Sequence, residues 1–250
     1  MHPNAVSLAG MGCGVLAGVA YHGYADRWRA MAGFALMLAW HVLDGADGQL
    51  ARLTGRQSPL GKVLDGICDY VTFAAVYAGL ASALQPRLGA WAWVLAVAAG
   101  LCHAVQAAAY EAQRQEYNFW GLGRASASFA SPGMRREGPL GGLLRVYERV
   151  QAAASGASPA FHARLAAALA SGPDGGAAMR QRYREMFAPS VRRWGVLSSN
   201  YRTLAIFLAA LAGVPQDYFW FDIIGFTAIL LLLLRARRTR HARFFAAAAA

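Results

Sequence analysis

Charge is what this sequence is short of. Only 15% of its 250 residues are Asp, Glu, Lys or Arg, against about a quarter in an ordinary soluble domain. Meanwhile 57% are hydrophobic and the mean hydropathy is +0.30. That deficit, with long apolar runs, argues against an ordinary soluble globule and for a polytopic membrane protein. Cysteine is scarce too. Cys13, Cys68 and Cys102 all fall in apolar stretches and none sits in a CxxC pattern. A disulfide framework and a zinc site are therefore not expected, and buried free thiols are. No basic n-region followed by an Ala-x-Ala site opens the chain, so no cleavable leader is expected. P-loop, heme and flavin signatures are missing, as is a Ser-His-Asp arrangement.

Acids are the rarer sign. There are 13 of them against 24 basic residues, a net charge of +11 carried almost wholly by arginine. Such an excess suits either nucleic acid or loops facing anionic lipid and phosphorylated substrates. The arginines flank apolar segments, so the membrane reading is favoured and no nucleic-acid partner is expected.

Apolar runs mark six spans, at 5–22, 30–53, 63–84, 90–112, 197–213 and 218–235. The expected fold is an all-α integral membrane protein, a six-transmembrane-helix bundle with a cytoplasmic helical insertion between helices 4 and 5. Residues 1–114 hold helices 1–4, 115–195 the insertion, and 196–243 helices 5–6 with a basic tail. Residues 244–250 are a tail or expression scar without chemistry. With the N-terminus in the cytoplasm, 21 of the 24 basic residues fall on that side, and only Arg27, Arg29 and Arg87 do not. The positive-inside rule supports this orientation, with both termini cytoplasmic.

The insertion is too polar to span and too long for a simple connection. "LLRVYERVQAAA" and "AAMRQRYREMFA" have helical spacing and an arginine-rich face, separated by joints such as "ASGASPA" and "SGPDGG". They suit amphipathic helices lying in the interface. Two roles stay open for the segment: a solvated subdomain held by anionic lipid, or a lid over a substrate. Gly10, Gly14 and Gly18 form a small-xxx-small face on the first span. It suits close packing inside one subunit more than a dimer contact.

Against this apolar background, "LDGADGQLARLTGRQSPLGKVLDGICDY" holds four aspartates. Asp44, Asp47, Gly48, Ala51 and Arg52 share one helical face, and Gly61, Asp65 and Asp69 recur every fourth residue on the next helix. "GRQSP" supplies the turn between them. Four ionised carboxylates converging at a membrane boundary repel one another, and leaving them unpaired is expensive. Hard divalent cations would remove that cost, and oxygen ligands select Mg2+, Mn2+ or Ca2+. Four carboxylates suffice for a two-metal site able to clamp both oxygens of a phosphoryl displacement. The two glycines permit close approach of a ligand, and Arg52 is suited to a phosphate.

The spacing Asp44-x-x-Asp47-Gly48-x-x-Ala51-Arg52, eight residues, then Gly61-x-x-x-Asp65-x-x-x-Asp69 resembles the signature of the CDP-alcohol phosphotransferase (CDP-alcohol phosphatidyltransferase) family at all eight fixed positions. "HPNAVSLAG" also resembles the Pro-Asn-x-x-Ser/Thr opening of the first helix in these enzymes. The likeness is taken to extend over the six-helix plan, and the long 115–195 insertion departs from it. The resemblance implies a metal-dependent transferase of phospholipid synthesis. Such an enzyme moves a substituted phosphate from a CDP-alcohol to a second alcohol and releases CMP. It further implies that Asp44, Asp47, Asp65 and Asp69 hold two divalent cations, Mg2+ or Mn2+, and that Asp69 is the catalytic base. Gly48, Ala51, Arg52 and Gly61 would then shape the CDP site, and the enzyme would be a homodimer.

The acceptor is less legible. His103, Gln106, Tyr110 and Arg114 form a polar stripe on an Ala-rich helix, with Glu111 beside it. Such residues line a pocket or glue helices together; an acceptor pocket completed by Arg202 is one expectation. Arginines such as 114, 124, 192, 193 and 202 favour a phosphorylated acceptor. The favoured reaction is CDP-diacylglycerol with inositol phosphate or glycerol phosphate. The alternative is a CDP-headgroup of choline, ethanolamine or inositol type with a lipid alcohol. A divalent-cation transporter would also carry intramembrane acids, but at several depths rather than at one end. A silent scaffold would have no need to keep Asp69.

Overall fold

The computed structural model describes residues 2–56, 59–124, 156, 158–170 and 173–246. These residues are helical, with no strand among them. Helix α1 runs Pro3–His22, α2 Arg27–Leu53, α3 Pro59–Leu88 and α4 Trp91–Trp120. They are followed by α5 (Pro159–Leu169), α6 (Pro173–Trp194), a 3-10 turn (Gly195–Leu197) and α7 (Ser199–Leu211). The short α8 (Pro215–Trp220) leads through a π-helical turn, Phe221–Phe226, into α9 (Thr227–Ala246). "LLRVYERVQAAA" lies outside the described residues.

Local chemistry sets the ends. The Asp26 side chain accepts from Trp28 N at 2.9 Å and starts α2. Gly55, at φ +65, stops it, with Arg56 N donating to Ala51 O at 3.0 Å. Gly89, at φ +57, likewise ends α3, so that only Gly89 and Ala90 separate α3 from α4.

Helices occupy all six expected span positions, but among the described residues length and apolarity mark four as able to cross a bilayer. They are Pro3–His22, Leu64–Leu88, Trp91–Trp120 and Pro215–Ala246. The expected second span is diluted by its own Asp44, Asp47 and Arg52. The fifth is the 13-residue α7, about 20 Å long, against a hydrocarbon core of about 30 Å. Leu16, Val19, Val97 and Leu101 stand exposed on α1 and α4, as lipid-facing residues do.

Two compact units are distinguished. The first comprises residues 1–103 and 199–225. Its core contains Tyr21, Met37, Trp40, Val76, Tyr77, Leu80, Ile206 and Phe219. α1 packs on both α2 and α3. A Cβ on Gly14 would come within 2.7 Å of Thr72 Cβ, and one on Gly79 would overlap the carbonyl oxygen of Gly18. The glycine face of α1 therefore meets α3 at backbone distance. α7 reaches α2 through stacked Phe34 and Phe207, centroids 4.2 Å apart, and His41 Nε2 to Thr203 Oγ1 at 2.9 Å.

The second unit comprises residues 104–198 and 226–250. One apolar cluster gathers Ala109, Trp194, Leu197, Phe226 and Leu230, and another Phe161, Leu165, Tyr183, Phe187 and Phe244. Beside the latter, Glu116 of α4 is nearly inaccessible and draws groups from the other three helices. Arg237 of α9 forms an ion pair with it, and His162 Nε2 of α5 stands 3.3 Å away. His241 Nε2 is at 3.8 Å, and the Tyr183 hydroxyl of α6 donates at 3.4 Å. Burial and the Glu116 charge hold that hydroxyl well above the usual phenol range.

Candidate active site

The first unit brings the aspartates together. Asp44 and Asp47 are one turn apart near the C-terminal end of α2, and Asp65 and Asp69 one turn apart in the first half of α3. One carboxylate oxygen each from Asp44, Asp47 and Asp65 lies within 4.8 Å of the others. Asp69 stands within hydrogen-bonding reach of Asp44 and in the field of Asp47 and Asp65. α2 and α3 each contribute two acids, and α1, which packs on both, holds the two helices where those acids converge.

Asp47 is 4% exposed and Ser7 is 8% exposed. The Ser7 hydroxyl of α1 donates to Asp47 Oδ2. One oxygen of the most buried of the four aspartates is thus fixed by a neutral donor, which orients the carboxylate without cancelling its charge. Asp69 Oδ1 is buried and has no hydrogen-bond partner among the described residues. A buried carboxylate oxygen without a donor, beside three further carboxylates, is a poor arrangement for the protein alone. It suits a hard divalent cation, which takes oxygen ligands and offsets the accumulated charge. The donor set and the orphaned oxygen therefore fit divalent metal.

Arg52 is exposed, and a Cβ on Gly48 would stand 3.5 Å from its Nη1. The guanidinium thus overlies Gly48. Ala51 and Gly61 are half-buried. On the flank of α1 and α2, Ala5, Val6, Ala9, Leu43, Ala46 and Leu50 line an apolar groove of about 460 Å³. These are the helix segments that carry Ser7, Asp44 and Asp47.

The residues expected to form an acceptor pocket are each engaged by protein. His103 Nδ1 lies 3.2 Å from the Tyr77 hydroxyl, which also meets the Tyr218 hydroxyl at 2.6 Å and donates to Asp222 Oδ2 at 3.3 Å. Arg202 is inaccessible, with Nε 3.3 Å from Asp222 Oδ1. Arg202, Asp222, Tyr77, Tyr218 and His103 form one buried polar network, with Asp222 in the π-helical turn. In the second unit, Gln106 Nε2 donates to Thr227 Oγ1 at 3.0 Å. Tyr110 packs beside the Trp194 cluster, and Arg114 forks onto Glu111 at 2.7 and 3.0 Å on the surface. Sequence reasoning did not reach the Asp222 network or the Glu116 cluster. The available signal was an acid in an apolar run, "YFWFDIIGF", and one in "AQRQEYNFW".

Residues 1–133 match the sequence profile of the CDP-alcohol phosphatidyltransferases. The chain belongs to that family. The match takes in α1 to α4 with all four aspartates and ends before α5. This CDP-alcohol phosphatidyltransferase family chain is similar to a Rubrobacter xylanophilus protein named a bifunctional IPC transferase and DIPP synthase. The two are 35% identical over 143 residues, which is 55% of this chain and 29% of that protein. It is also similar to the CDP-diacylglycerol–serine O-phosphatidyltransferases of Mycobacterium leprae and Mycobacterium tuberculosis. The first is 29% identical over 98 residues, or 39% of this chain and 33% of that protein. The second is 30% identical over 107 residues, or 41% and 36%. The matches thus span about a third of each relative. No solved structure matches the chain. Family and relatives are transferases, and together with the apolar helices they support a multi-pass membrane enzyme.

Proposed function

We propose that this chain transfers a substituted phosphate from CDP-diacylglycerol to the hydroxyl of a small polar acceptor, such as inositol phosphate or glycerol phosphate. The observation that carries the reading is the meeting of Asp44, Asp47 and Asp65 within 4.8 Å, with Asp69 one turn further along α3. Asp44, Asp47 and Asp65, with Asp69 at the edge, would hold two divalent cations, Mg2+ or Mn2+. Bound there, the cations supply charge neutralisation for the diphosphate and for the leaving CMP oxygen.

The chain's own groups divide the rest of the work. Arg52, lying over Gly48, offers a guanidinium to a phosphate of the nucleotide, and the small Gly48, Ala51 and Gly61 leave room for CDP. Asp69 accepts the proton of the acceptor hydroxyl. The acceptor oxygen attacks the phosphorus that carries the lipid alcohol. The bond from that phosphorus to the oxygen of CMP breaks, and CMP departs with the electron pair. The apolar groove on the segments of α1 and α2 that hold Ser7 and the first two aspartates supports a lipidic donor. So do relatives whose names specify CDP-diacylglycerol. The arginine distribution supports a cytoplasmic site and a phosphorylated acceptor. Homodimeric assembly is part of the same proposal.

The decisive experiment supplies purified full chain with labelled CDP-diacylglycerol, or labelled CDP-headgroups, and a panel of alcohols with Mg2+ or Mn2+. Lipid product and CMP from CDP-diacylglycerol plus a phosphorylated polyol is the expected result. Product only from a CDP-headgroup and a lipid alcohol would reverse donor and acceptor. Metal uptake into vesicles without CMP release would make it a transporter instead.

A further inference from the structure

Among its described residues, the second unit carries positive charge that no acid meets. Among its described side chains, Glu111 is taken by Arg114, Glu116 by Arg237, and Glu185 accepts from Gln181. Arg192, Arg193, Arg235, Arg238, Arg240 and Arg243 have no ion-pair partner among the described residues. Five of these six are exposed, and Arg240 is half-buried. They also crowd one another. Arg235 and Arg238, and Arg240 and Arg243, are three apart on α9, a spacing at which like charges destabilise a helix. Across to α6, the charge of Arg193 bears directly on Arg240. Ser190 Oγ, 4% exposed at its residue, accepts from Arg240 Nη1 at 2.6 Å and so holds that guanidinium in place beside Arg193.

Their position narrows the partner. α9 begins as an apolar run, Thr227–Leu234, with Leu231 and Leu232 exposed, inside a helix apolar enough to span a bilayer. The arginines follow without a break. Arg235 to Arg240 lie within about 9 Å of the last leucine along the axis, close to the depth of one headgroup layer. Charge just past the end of an apolar run meets lipid phosphates before it meets bulk water. Guanidinium pairs fork onto phosphate oxygens and would exchange mutual repulsion for charge-assisted hydrogen bonds.

We propose that Arg193 and Arg240 jointly grip the phosphate of an anionic phospholipid at the membrane surface, with Arg192 and Arg243 beside them. The site belongs to the second unit, the aspartates to the first, and it does not depend on what they catalyse. It ties α6, and with it the insertion, to anionic membrane.

The test follows thermal unfolding of the full chain in neutral detergent while phosphatidylglycerol, phosphatidylcholine or inorganic phosphate is added. Phosphatidylglycerol should raise the unfolding temperature by about 3 °C, while phosphatidylcholine and inorganic phosphate should not. Raising salt from about 0.1 M to about 1 M shortens the Debye length from about 10 Å to about 3 Å and should remove most of that rise in the unaltered protein. Arg193 is exposed, so R193Q keeps the fold and should lose the rise, as should R240Q. Equal stabilisation by phosphatidylcholine would overturn the proposal, as would a salt-insensitive rise or an undiminished rise in R193Q. A like rise with inorganic phosphate, lost in R193Q, would assign the arginines to a soluble phosphate instead.

Discussion

Ser7 and Asp47, 40 residues apart in sequence, are joined by a buried hydrogen bond from the serine hydroxyl to the aspartate. The bond places the start of α1 in the shell around the aspartates. A partner that orients a metal-binding carboxylate is commonly worth about 10–100-fold in metal affinity. Ser7→Ala should therefore weaken Mn2+ binding by about that factor, measured calorimetrically on the purified chain. Unchanged affinity would make Ser7 a packing residue only.

Chelation should abolish CMP release, and Mg2+ or Mn2+ should restore it. The same titration should raise thermal stability, because ligands that bind only the folded state stabilise it by mass action. Turnover in full after exhaustive chelation would contradict a metal-held diphosphate.

Asp65→Asn and Asp69→Asn should differ in kind. The first removes a member of the tight carboxylate trio and should be partly rescued by excess Mn2+. The second removes the proposed proton acceptor. Its turnover should fall by about 100-fold or more and stay low at saturating metal. Rescue of Asp69→Asn by metal alone would reassign Asp69 as purely a ligand.

Gly79→Val should unfold the α1–α3 contact. The added Cβ would overlap the Gly18 carbonyl oxygen, and backbone cannot yield as a side-chain tip can. Overpacking of this kind costs about 1–3 kcal/mol or more, read as a lowered unfolding temperature in detergent. Gly12→Ala on α1 meets nothing within 4 Å and should be neutral.

Glu116→Ala should loosen the second unit. It leaves Arg237, 2% exposed, without its principal counter-charge. Removing one member of a buried ion pair costs about 3–5 kcal/mol. Protease cleavage within α5 or α6 should then outpace cleavage in α1–α3. An unchanged cleavage pattern would mean that aromatic packing around Phe161 and Phe244 suffices.

The parts of this protein legible in sequence are those whose signal is local. The aspartate spacing of three and four puts two acids on one face of α2 and two on one face of α3, and α1, packed on both helices, lets the two pairs converge. Glycine every fourth residue on α1 announces close packing for the same reason of helical period. Less legible were the groups that satisfy buried charge from afar. The polar stripe His103, Gln106, Tyr110 and Arg114 is regular in sequence. Yet its members bond to Tyr77, Thr227 and Glu111 or pack by Trp194, choices that periodicity cannot rank. Likewise Arg202 of α7 meets Asp222 in the π-helical turn that leads into α9.

What the sequence determined by itself is an all-helical chain, the family it belongs to, and which carboxylates could share cations. Each of these follows from short-range period and composition. What tertiary structure alone decided is which distant group answers each buried charge: Ser7 for Asp47, Asp222 for Arg202, and Arg237 with two histidines for Glu116. A charge removed from water must find a partner, but its identity depends on how helices far apart in the chain come to lie side by side. Residue order does not state that.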